Sequence, residues 1–232
     1  MAIRSLAGTE DAVWRGDLKA LAVFSRGTVF MIASRLWITS IFVLAVAVLS
    51  QPAAQERFDS PTAGIALQPP RGWRSATLAQ VQANRQRVRL SDPELQAALA
   101  TRSAMPLATF MKYPEPHAGL NPTVQVTLRP ALDGSATRLL SSALSQMQRG
   151  FPNFRIVSPV HAADVGGWPG AHVRVSYTLK NAAGDSFDVL SRLWLVPRGP
   201  LMFLIGMSGT ETGADVCEEE FAAVLASVEI RQ

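Results

Sequence analysis

Apolar and polar positions alternate with a period of two from Val173 to Leu179 and again from Phe187 to Leu195. Val173, Val175, Tyr177 and Leu179 therefore share one strand face, and Phe187, Val189, Leu193 and Leu195 share another. The links at 181–185 and 197–200 are too short for a crossover helix, so these runs and Leu201–Met207 form an antiparallel meander. A third alternation, Thr123 to Leu128, sets Val124, Val126 and Leu128 against a wet or helix-edged face of Thr123, Gln125 and Thr127. The period then changes. Leu140, Leu144 and Met147 stand at helical spacing, widened by Leu139 and Ala143, which predicts an amphipathic helix over Ser135–Gln148 lying on the sheet and ended by Gly150.

The flanks complete the order. Gly64-Ile65-Ala66-Leu67 reads as a short strand turned by Pro69–Gly72 into Trp73, an aromatic that lids the core. Thr77 to Ala104 predicts two helices split at Asp92-Pro93, where Asp caps and Pro opens the second. Pro106–Tyr113 is a strand, 114–120 irregular, and Phe154–Pro159 a strand leading to the turn at Gly166–Gly170. Asp215 precedes Glu218, Glu219 and Glu220 in the first turn of a closing helix, where carboxylates complement the helix dipole. Its buried stripe is Cys217, Phe221, Leu225 and Val228.

Upstream, Arg35 precedes the uncharged run Leu36–Leu49, which gives way to small and polar residues. As a helix this run is about 21 Å long, short of the roughly 30 Å hydrocarbon core of a bilayer. It reads as an export signal within a leader over residues 1–54, with Met31 as an alternative start and cleavage near Ala54. Residues 55–63 are a short polar tether, and 64–232 form a single domain. The expected location is periplasmic or secreted, with membrane contact only through the leader if it stays uncleaved, as an inner-membrane anchor.

Charge adds little to this picture. The net +4 is partly a leader effect, since five basic and three acidic residues precede Gln55, leaving 17 against 15 after it. Arginines are scattered, which argues against nucleic acid as a partner. One cysteine permits no internal disulfide, so stability rests on packing.

The motif G-I-x-L-x-x-P-x-G-W at Gly64–Trp73, followed by paired helices, two strands, a helix, a strand with a Gly-rich turn, a three-strand meander and a closing helix, resembles the PsbP-like family. The resemblance covers nearly the whole chain after the leader. It implies an α+β fold, an α/β/α sandwich with a largely antiparallel central sheet flanked by helices, and a domain that binds partners instead of turning over substrates. Photosynthetic members assist an oxygen-evolving complex, and other relatives are protein-binding adaptors.

Candidate chemistry is sparse. His117, His161 and His172 stand with no second His, Asp or Glu at the close helical or hairpin spacing of a metal motif. Gly206–Thr210 lacks the closing glycine of a nucleophile elbow. Cys217 on a core-facing stripe beside three glutamates is a buried, unreactive thiol. Glu218–Glu220 point about 100° apart on a helix and cannot converge on one ion. No catalytic residue, cofactor or metal is expected, so the chain is expected not to be an enzyme.

The leading expectation is a non-enzymatic exported domain that binds a protein or envelope partner through loops and the sheet edge. His117, in the loop 114–122, and Trp168, in the turn 166–170, are the candidate partner-binding residues. The alternative is a carrier or sensor of a small hydrophobic ligand, which requires a pocket of several hundred cubic ångströms lined by Met and aromatic side chains.

Overall fold

Strand follows strand with antiparallel pairing throughout a computed structural model that describes residues 56–101 and 105–232. The expected leader and export signal lie outside the described residues. Three long strands, β8 (Trp168–Asn181), β9 (Ser186–Arg198) and β10 (Leu201–Thr210), form the expected meander. Strand β6 (Thr123–Pro130) pairs with β10, β5 (Ala108–Met111) with β6, and β3 (Arg74–Ser75) with β5. On the opposite edge of β8 lie β7 (Arg155–Val165) and β4 (Val88–Arg89), giving an eight-stranded sheet.

Each sheet face has its own core. Helix α3 (Ala136–Gly150), with Ser135 Oγ accepting from the Arg138 N–H at 3.3 Å, packs Leu140 and Leu144 on Ala171, Val173, Val175 and Leu195. Full burial of each of these leucines contributes roughly 1.5–3 kcal/mol. Val124, Val126, Trp194, Val196, Phe203, Ile205 and Met207 point the other way. They are covered by α4 (Glu218–Ala226) through Phe221 and Val224, and by a small sheet of β1 (Phe58–Ser60), β2 (Ile65–Leu67) and β11 (Glu229–Ile230). Trp73 lies edge-on to Phe221, centroids 5.9 Å apart, and is 5% exposed, as a lid on this core. The architecture is the expected α+β class with a largely antiparallel sheet.

Several details depart from the sequence reading. Phe58–Ser60, within the stretch expected to be a polar tether, pairs with β2, and Ala63 is buried. The alternation signal needs more than three residues to show. β7 runs on to Val165 because two register shifts along it let the strand continue past Pro159. Gly150 is the last helical residue of α3 and not a left-handed terminator. A Cβ there would stand 3.0 Å from Leu95 Cδ1 in α2 (Pro93–Thr101), so its smallness serves the approach of two helices. Cys217 is buried, but it precedes α4 in the left-handed conformation, φ 55°.

Candidate pocket between the first helix and the 114–122 loop

Helix α3 covers only part of its sheet face. The rest floors an open cavity of about 790 Å³ walled by α1 (Leu78–Arg87), β4 and the loop 115–121. The alternation of the strands dictates its floor. Thr109, Thr123, Gln125 and Ser208 stand on neighbouring strands, Thr109 opposite Gln125 and Thr123 opposite Ser208, and make a polar half. Tyr177, Leu179, Phe187 and Val189 make the apolar half. Between the halves, Tyr177 Oη and Ser191 Oγ lie 3.1 Å apart and Ser191 Oγ and Ser208 Oγ 2.6 Å, a hydroxyl chain that satisfies these groups internally. Burial pushes the Tyr177 phenol above its ordinary range, against the pull of Ser191 and Ser208.

Helix α1 is fixed at its start by a capping box. Thr77 Oγ1 accepts from the Gln80 N–H at 3.2 Å, and Gln80 Oε1 accepts from the Thr77 N–H at 2.9 Å. Val81 is its buried anchor. Asn84 Nδ2 donates to Met111 Sδ at 3.7 Å, holding the helix to the floor, and Val88 pairs with Asn181 at the end of β8. Burial, followed by the nearby Arg129, holds the Arg85 guanidinium below its ordinary value.

The loop is cinched by one side chain. Asn121 Oδ1 accepts from the Tyr113 N–H at 3.0 Å, while Asn121 Nδ2 donates to Tyr113 O at 3.0 Å and to Glu115 Oε1 at 2.8 Å. The His117 N–H donates to Glu115 Oε2 at 3.2 Å, and Arg87 reaches the same oxygen at 3.5 Å, closing the loop onto α1. The His117 ring stacks on Tyr113, centroids 4.6 Å apart at 18°. Tyr113 in turn donates to Asp215 Oδ1, which also accepts from Lys112 Nζ at 3.0 Å. Burial pulls the Lys112 ammonium down, but the Asp215 hydrogen bond and the neighbouring Cys217 and Asp215 outweigh it and hold the group above its ordinary value. Partial burial raises Asp215, but the bonds from Tyr113 and Lys112 win and keep its carboxyl below the usual range. Burial raises the Cys217 thiol, against the pull of Lys112.

His117 therefore lines the cavity and Trp168 does not. Trp168 is the first residue of β8, about 30 Å along the strand, at roughly 3.3 Å per residue, from Tyr177, where that strand first meets the cavity. Its indole Nε1 donates to Ile230 O at 3.0 Å and it packs on the opposite core. The structure does not bring the two candidates together.

One relationship was missed in the sequence. The turn Gly166-Gly167, both at positive φ, sets the register that pairs His161 with His172, whose Nε2 and Nδ1 lie 3.4 Å apart. Eleven residues separate them along the chain, and only the hairpin register reveals the pair. His161 Nδ1–H donates to Pro159 O at 2.9 Å, so its Nε2 accepts from His172 Nδ1–H. Burial first, then His161, Arg174 and Arg192, pull the stacked His172 down to about 4. Among the described residues no three His, Cys, Asp or Glu gather as a metal set. Ser208 lies inside β10 with its hydroxyl against Ser191, and no histidine approaches it as a base among the hydrogen bonds of the described residues. No helix among the described residues is long and apolar enough to cross a membrane.

No known family model matches the sequence, and no curated protein matches it. Solved structures similar to the chain include cyanobacterial PsbP, CyanoP, from Synechocystis sp. PCC 6803. That pair shares 12% identity over 78% of this chain and 95% of the other, with a TM-score of 0.48. LpqN of Mycobacterium tuberculosis, described as involved in cell envelope biogenesis, is 14% identical over 72% of this chain and 83% of its own, TM-score 0.47. A protein from Bacteroides thetaiotaomicron VPI-5482 is 13% identical over 77% of this chain, TM-score 0.42, and the chain spans 49% of its length.

Proposed function

We propose that this chain is an exported, non-catalytic binding domain that takes a protein or envelope partner at the cavity between α1 and the 114–122 loop. The observation that carries the reading is the cavity itself, about 790 Å³ of open space on a sheet face that α3 leaves bare. Recognition groups concentrate on loops held by a rigid scaffold, and Asn121, Glu115 and Arg87 hold this loop in one shape. The Tyr177, Ser191 and Ser208 hydroxyls of the floor bond to one another, and among the described hydrogen bonds Ser208 has no histidine, carboxylate or amine partner to act as its base, which favours binding over turnover.

A second reading, a carrier or sensor of a small hydrophobic ligand, is favoured by the volume, which lies within the range of small-molecule sites, and by Met111, Phe151, Tyr177 and Phe187 in the lining. Affinity purification of the full chain from its own cell envelope tests both. Recovery of a partner is expected to fall at least tenfold with His117→Ala and to persist with Trp168→Phe. Unchanged recovery with His117→Ala removes this surface. A small molecule co-purifying in native mass spectrometry, with no protein recovered, selects the second reading.

A further inference from the structure

On the opposite sheet face, two arginines share one carboxylate. Arg174 and Arg192 are register partners on β8 and β9. Arg174 Nη2 donates to Glu218 Oε1 at 2.8 Å, Arg192 Nε donates to Glu218 Oε2 at 3.2 Å, and Arg192 Nη2 also lies against Glu218 Oε1. The Arg192 side chain is only 4% exposed, its guanidinium carbon 5.0 Å from the centre of the Phe221 ring. Two positive charges thus face one negative charge, and donors are left over. Arg192 Nη1 and Arg174 Nε are buried with no hydrogen-bond partner. His172, held neutral, adds no charge at neutral pH. Burying an unbalanced guanidinium costs several kcal/mol unless a counter-charge completes it, and orphaned buried donors signal an absent acceptor.

Glu218 is the movable member. It is the first residue of α4, and its side chain is 51% exposed, whereas both arginines rise from the middle of long strands. Rotating Glu218 outward opens a fork of Arg192 Nε, Arg192 Nη2 and Arg174 Nη2 at the position its carboxylate now fills. We propose that this fork is a site for a tetrahedral dianion, a phosphate free or as a monoester, with the Glu218 carboxylate as its internal stand-in. A dianion balances two guanidiniums where one carboxylate does not, and it offers the additional oxygens that the leftover donors lack. The site is independent of the cavity proposed for partner binding.

Calorimetric titration of the full chain with inorganic phosphate and with glycerol 3-phosphate, at ionic strength matched with chloride, tests this. Both are expected to bind saturably, and Glu218→Gln, which removes the competing charge and keeps the side chain's size, should tighten binding about tenfold. Arg174→Gln leaves the Arg192–Glu218 pair in place and should abolish the response, which covers the case in which Glu218→Gln fails to fold. Saturation by glycerol 3-phosphate alone identifies an esterified ligand, and by both, the phosphate group itself. Absence of saturable binding in the wild type and Glu218→Gln, or its survival in Arg174→Gln, overturns the assignment.

Discussion

Tyr113 Oη donates to Asp215 Oδ1 over 2.7 Å, joining the start of the cavity loop to the segment that leads into α4. Through this bond the loop on one sheet face is coupled to a helix on the other. The His117 ring stacked on Tyr113 inherits its position from the same contact.

Tyr113→Phe keeps the stack and removes the bond. The expected effect is a modest loss of stability, since the acceptor is charged but the pair is partly solvated. The Asp215 carboxyl is depressed in the folded state, so its contribution is present above its unfolded value near 3.9 and is lost as pH falls through the folded value. Urea denaturation between pH 2 and pH 6 should therefore show a shallower loss on acidification in Tyr113→Phe than in the wild type.

His172 governs a higher pH window. Its folded value of about 4 lies below the ordinary 6.5, so the unfolded chain binds a proton between these values that the folded chain does not. Stability is expected to fall as pH drops from about 6.5 to 4, by on the order of 1–3 kcal/mol. His172→Phe retains a ring against Trp194, 4.4 Å away in the wild type, and removes the titration. Urea denaturation between pH 4 and pH 7 should show a flatter profile across that window in the variant than in the wild type.

Two glycines of β10 make a contrasting pair. A Cβ on Gly209 would stand 2.3 Å from the Asp215 carbonyl oxygen, a backbone atom that cannot step aside, so Gly209→Ala should cost about 2 kcal/mol or more. A Cβ on Gly206 meets only Leu193 Cδ2 at 3.5 Å, so Gly206→Ala should stay within about 1 kcal/mol of the wild type. Thermal unfolding of the two variants checks the difference.

The long strands and α3 were legible because many residues repeat one period. The meander, the shared face of Val173, Val175, Tyr177 and Leu179, and the stripe of Leu140 and Leu144 stand in the structure as their spacing predicts. Strands β1, β4 and β11 were not legible, since two or three residues carry no period and depend on the partner strand. The cavity was half visible. The wet face of Thr123 and Gln125 is its floor, and the irregular loop around His117 is its rim, but nothing in the Ala-, Gln- and Arg-rich stretch of α1 announces a wall. Trp168 illustrates the reverse case: a tryptophan beside glycines suggests an exposed recognition group, whereas register places it against Ile230.

Gly150 lies outside the cavity lining, yet the seating of α2 on the end of α3 is set there. Its carbonyl accepts from the Ser91 N–H at 2.9 Å, and its missing side chain lets Leu95 of α2 settle on the end of α3. A methyl group at this seam would meet the flexible end of Leu95, which would have to give way by a few tenths of an ångström before the two helices could close up again. A position without a side chain thus serves as the socket into which the neighbouring helix is keyed.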